Sequence, residues 1–83
     1  MYFVYILYSE KLNKYYVGYT KNVEQRLALH NHGQETFTSK GIPWILMCFE
    51  KFDSELIAIR REREIKAKKS RKYIEWIITS AVK

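Results

Sequence analysis

The chain has 83 residues, 47% of them hydrophobic and 16% aromatic, and its 15 Lys and Arg against 9 Asp and Glu give a net charge of +6. That length allows one domain, which buries only about 60% of the surface its unfolded form exposes, and the apolar content excludes a disordered basic tail. The single cysteine, Cys48, excludes a disulfide partner and a cysteine-based zinc site, and fits a reducing, cytoplasmic setting.

Residues 2–8 (YFVYILY) are β-branched and aromatic without a breaker and predict a mostly buried strand. The apolar run stops at Ser9, far short of the roughly 20 residues a membrane span needs. It also lacks the basic flank and small-residue cleavage site of a signal peptide, so no membrane partner is expected. Residues 9–14 are polar, and residues 15–19 (YYVGY) predict the second strand of a hairpin. Gly18 inside that strand marks a bulge or a close backbone approach.

A helix is expected over residues 22–32, with Asn22 and Gln25 spaced as a capping box and Gly33 just beyond its C-terminus. Residues 34–43 are a polar loop, and residues 44–52 (WILMCFEKF) a third strand. Asp53 or Ser54 caps a second helix running to about Lys69. Ser70 caps a third, on which Ile74, Ile77, Ile78 and Ala81 offer an apolar face. The order β-β-α-β-α-α describes an α+β fold, a three-stranded sheet flanked by helices, as one domain over residues 1–83.

The charge is local. Residues 60–72 (RREREIKAKKSRK) hold eight basic residues and two acids, Glu62 and Glu64, so the whole excess sits in this stretch. It points to an anionic partner rather than to general solubility.

In the first helix Val23, Arg26, Leu27 and His30 fall within a stripe about 100° wide that should face the sheet. An arginine there is paired, serves a ligand, or snorkels to the edge, and His30 on the same geometry is a boundary histidine or a ligand-facing one. In the second helix Glu62 joins Ala58 and Ile65 on an apolar stripe. It is either an i, i+4 partner for Lys66 or a functional acid. Tyr5 shares its strand face with Phe3 and Leu7, and Tyr16 lies in the neighbouring strand. Tyr, Arg, His and Glu on one sheet face would combine a base, a phosphate clamp and a metal ligand. No glycine-rich phosphate loop and no HExxH are present.

These residues resemble the GIY-YIG nuclease superfamily, and most closely its small single-domain bacterial members of the UPF0213 type. The first motif triplet corresponds to Phe3-Val4-Tyr5 and the second to Tyr16-Val17-Gly18, about ten residues apart. The helix arginine of the family falls on Arg26, the His or Tyr four residues later on His30, and the metal-binding glutamate on Glu62. The first triplet has Phe3 where the family has its name-giving glycine, and residues 72–74 lack the asparagine some members carry.

The resemblance implies an antiparallel sheet and an endonuclease: metal-dependent hydrolysis of a phosphodiester in DNA, with the sheet face as active site. It gives catalytic roles to Tyr5, Tyr16, Arg26, His30 and Glu62. Tyr16 is the first choice of base, although free tyrosine titrates only near pH 10 and would need activation. Glu62 would hold one Mg²⁺ or Mn²⁺, with water and substrate phosphate completing its shell. Arg61, Lys66, Lys68, Lys69, Arg71 and Lys72 would follow the phosphate backbone, which gives affinity without sequence reading, so selection by structure is expected. The residues do not separate DNA from RNA, nor a monomer from a weak homodimer. A non-catalytic nucleic-acid-binding module using residues 60–72 is the alternative.

Overall fold

The computed structural model describes residues 1–33 and 36–81; residues 34–35 of the expected loop and 82–83 of the expected domain lie outside them. The elements are β1 (Tyr2–Ser9), β2 (Lys14–Thr20), α1 (Val23–Asn31), α2 (Thr36–Ser39), β3 (Trp44–Phe52), α3 (Glu55–Lys68) and α4 (Arg71–Ala81). The architecture is the expected α+β one, with one correction. The expected loop over residues 34–43 carries the short helix α2, because Thr38 turns inward and is buried.

The sheet is antiparallel with order β2-β1-β3, so the most apolar strand is central. The β1–β2 hairpin closes at Asn13, which takes positive φ and accepts a hydrogen bond from the Tyr8 hydroxyl at 2.7 Å. Its register pairs Tyr5 with Gly18 and Leu7 with Tyr16. On the other side Ile6 faces Cys48 while Leu7 faces Leu46, a one-residue slip at Met47. Gly18 is a close approach and not a bulge. A Cβ there would lie 2.6 Å from the Tyr5 hydroxyl oxygen, so the missing side chain is the space the Tyr5 ring occupies.

Side chains alternate across a strand, so β1 feeds two separate cores. Val4 and Ile6, with Val17 of β2, meet Ala58 and Ile65 of α3 and Ile77 of α4. Tyr5 and Leu7, with Trp44, meet Val23 and Leu27 of α1. Asn22 caps α1, its Oδ1 accepting from the Gln25 amide at 3.0 Å, and Gly33 follows the C-cap with φ +73°. Ser70 caps α4 by accepting from the Tyr73 amide at 3.1 Å. Between α3 and α4, Lys69 takes a left-handed conformation (φ 47°) that turns the chain sharply.

Candidate active site

His30 is the only buried residue of α1 and is fully buried. Its Nε2 lies 3.0 Å from the Tyr5 hydroxyl and its Nδ1 2.9 Å from the Thr38 hydroxyl. Thr38 is fixed in turn, because its carbonyl accepts from Trp44 Nε1 at 2.7 Å. One residue on, Asn31 accepts from the Trp44 amide at 2.6 Å and donates to the Trp44 carbonyl at 3.0 Å. Side-chain hydrogen bonds therefore lock α1 and α2 onto the first residue of β3, where a helix with little apolar surface could not hold itself. No local pattern in the sequence marks Thr38, Asn31 or Trp44, whose bonds join residues six to thirteen apart.

Tyr16 stands edge-on to the same imidazole, with ring centroids 4.9 Å apart, and 6.2 Å from the Trp44 ring. The two motif tyrosines differ in access. Tyr5 is 1% exposed, whereas Tyr16 is half-buried and borders a cavity. Arg26 lies one turn before His30 with its Nε buried.

Glu62 reaches this group differently from the expected shared sheet face. The stripe of α3 that carries it packs with Ala58 and Ile65 on the opposite face from Tyr5 and Tyr16. Contact comes around the edge strand β2. The Lys66 ammonium lies 5.8 Å over the Tyr16 ring and 3.4 Å from a Glu62 carboxylate oxygen. Among the described residues no three His, Cys, Asp or Glu cluster to hold a metal. Glu62, with its side chain 17% exposed, offers one hard oxygen donor. That suits a hard ion such as Mg²⁺ or Mn²⁺ that keeps most of its water and takes oxygen ligands, and does not suit a soft, sulfur-preferring metal.

The basic stretch divides. Lys66, Lys68, Lys69 and Lys72 are exposed. Arg61 does not join them. Its guanidinium grips Glu50 of β3 through two bonds of 2.7 and 3.1 Å, donates to the Tyr73 hydroxyl at 2.8 Å, and also contacts Glu64. The Glu50 bond raises its pKa above the usual range, so Arg61 is a fixed positive tie between α3, β3 and α4. Arg71 is exposed yet donates to the Asn13 carbonyl at 2.9 Å, to Asn13 Oδ1 at 2.8 Å and to Glu75 at 3.2 Å, which ties α4 to the hairpin.

Residues 1–74 match the model of the GIY-YIG catalytic domain. A UPF0213 protein of Staphylococcus haemolyticus is 46% identical over 65 residues, which are 77% of this chain and 78% of that protein. A UPF0213 protein of Natronomonas pharaonis is 45% identical over 53 residues, 63% of this chain and 62% of that one. The solution NMR structure of a UPF0213 protein from Bacillus halodurans aligns with a TM-score of 0.60 at 32% identity, covering 95% of this chain and 84% of that chain.

Proposed function

This chain belongs to the GIY-YIG family, in its UPF0213 group, and on that premise we propose that it is a small metal-dependent endonuclease that hydrolyses DNA and selects its target by structure rather than sequence. A nuclease-type function and a nucleic-acid substrate follow from the family. One observation carries the finer reading: tyrosines from both motifs meet a single buried imidazole, Tyr5 by a 3.0 Å hydrogen bond and Tyr16 edge-on at 4.9 Å.

In this reading Tyr16 is the general base, because it borders open space while Tyr5 is sealed in. The Lys66 ammonium over its ring supplies positive charge beside a forming phenolate. Tyr5 and His30 hold that ring in place, and Gly18 makes room for Tyr5. Arg26 clamps the scissile phosphate and offsets the charge that builds on it. Lys68, Lys69 and Lys72 grip flanking phosphates, Lys66 stays by Glu62 and Tyr16, and Arg61 and Arg71 serve as the internal ties described above. Glu62 would hold one Mg²⁺ or Mn²⁺, which supplies positive charge for the departing 3′ oxygen. A monomer, with one such site, nicks one strand at a time, a double-strand break needs a homodimer or two events, and RNA offers the same phosphates to the basic surface.

The test is a cleavage screen of hairpin, flap, fork, duplex and single-stranded DNA and RNA with Mg²⁺ or Mn²⁺. The wild type should nick at least one DNA structure. Arg26→Ala and Glu62→Gln should each lower the rate by roughly 10²–10³-fold while binding persists. Absence of cleavage across the panel, or cleavage that survives both changes, removes the proposal. The Glu62–Lys66 contact at 3.4 Å favours a second reading, since it neutralises the carboxylate without a metal. Steeply salt-dependent binding, indifferent to Mg²⁺ and without cleavage, would establish that binding-only module.

A further inference from the structure

A cavity of about 460 Å³ opens between β2 and the α3–α4 corner, with Tyr16 in its lining. Its base is apolar: Val17 and Ile65 are buried, and Ile74 packs on the same core. Tyr15 and Tyr16 line it from β2, and Phe37 of α2, 80% exposed, stands at its mouth. Four cations border it, Lys14 from the hairpin, Lys66 and Lys69 from the end of α3, and Arg71 from α4. The left-handed turn at Lys69 is what brings residues 69–71 to the same rim.

The four cations are not equally available. Arg71 is committed to Asn13 and Glu75, and Lys66 to Glu62. Among the described residues Lys14 and Lys69 form no ion pair. An aromatic-walled apolar hollow under two uncommitted ammonium groups matches a flat, weakly polar ring that carries a phosphate. Its volume is in the range of small-molecule sites, about 300–1,000 Å³. The aromatic walls offer base stacking, which tolerates any base, and the ammonium groups offer phosphate binding.

We propose that this cavity is a nucleotide subsite, seating one base against Val17, Ile65 and Ile74 between the tyrosine wall and Phe37, with its phosphate on Lys14 and Lys69. Next to Tyr16, and resting on the nuclease reading above, it takes the nucleotide adjoining the cleaved phosphate. The same chemistry would also accept a free mononucleotide.

The experiment uses ¹⁵N-labelled wild-type protein in EDTA, which withholds metal and keeps Lys66 on Glu62, titrated in separate arms with thymidine 5′-monophosphate and with the dinucleotide pTpT while amide shifts are followed. Shifts should concentrate in residues 14–17, in residues 65–74 and at Phe37. Response to the monophosphate assigns the subsite to a free nucleotide as well; response to pTpT alone assigns it to a strand. Lys14→Glu should weaken binding by roughly five- to tenfold and lower the slope of log affinity against log salt by about one to two. Lys51→Glu, the same charge change on an exposed β3 lysine outside the cavity, should alter affinity less than about twofold. Shifts centred elsewhere, no shifts in either arm, or equal effects of the two lysine changes overturn the subsite. Wild-type cleavage is scored separately. Cleavage with an unused cavity removes the subsite and keeps the nuclease, while a filled cavity without cleavage does the reverse.

Discussion

The two faces of the sheet are held by different physics. Beneath α3 and α4 the buried set is wholly apolar: Val4, Ile6, Val17, Ala58, Ile65 and Ile77. Beneath α1 and α2 it mixes Tyr5, Leu7 and Trp44 with Ser9, His30 and Thr38, and those three are all the buried polar residues among the described ones. Apolar burial is non-directional and scales with area. A buried polar network is directional, and each member fixes its neighbour's orientation. The α3–α4 face therefore supplies stability, and the α1–α2 face supplies position. The motif tyrosines and His30 lie on the second, where a ring's angle matters more than its area.

The largest effect is expected on the apolar face. Ile77→Ala deletes a 4%-exposed side chain there and should cost about 2–5 kcal/mol in urea unfolding. It should leave cleavage per folded molecule, and the ring-nitrogen shifts of His30, unchanged. Loss of both would mean the two faces are one unit. Gly18→Ala probes the other face. The added methyl meets the Tyr5 hydroxyl at 2.6 Å, so the ring must shift and its 3.0 Å bond to His30 is disturbed. The stability cost should be smaller, about 1–3 kcal/mol. Yet the His30 ring-nitrogen shifts should change and cleavage should fall more than for Ile77→Ala. A Gly18→Ala protein with unaltered His30 signals and activity would show that position is not set there.

How far the sequence discloses this division depends on the range of the forces involved. The strands are legible because a β-branched, aromatic run has few alternatives, and the Asn22 cap because it acts over three residues. Thr38 is not, because TFTS in a polar stretch reads as loop until His30, eight residues earlier, draws its hydroxyl inward at 2.9 Å. Arg61 reads as one more cation in a basic run, since its partner Glu50 lies eleven residues away on β3. The stripe Ala58, Glu62, Ile65 correctly identifies the side of α3 that meets the protein. It cannot identify which sheet face α3 covers, because that is settled by contacts distant in sequence, Ala58 and Ile65 packing on Val4, Ile6 and Val17 and not on Tyr5 and Leu7. The stripe therefore leads one to expect Glu62 on the tyrosine face, whereas it approaches Tyr16 through Lys66 at the β2 edge.

The finest test of the contrast is whether water reaches the core of the apolar face, and Cys48 reports on it. It pairs with Ile6 and packs against the α3–α4 core. Burial, and then the neighbouring Glu50 carboxylate, push its thiol up to about 11, against about 8.5 for a free cysteine. Because the thiolate is the reactive form, a disulfide reagent at pH 8 should label Cys48 roughly a hundredfold more slowly than a free thiol. The sign for stability follows. An acid whose pKa is raised on folding costs nothing below its unfolded value, and weakens the fold as pH rises from about 8.5 towards 11. The wild type should lose stability over that window relative to Cys48→Ala, a difference that cancels the lysines and tyrosines titrating in both proteins. Labelling of Cys48 at the free-thiol rate near neutral pH would mean that water reaches the apolar face. The fully buried polar residues Ser9, His30 and Thr38 would then no longer set the α1–α2 face apart among the described residues.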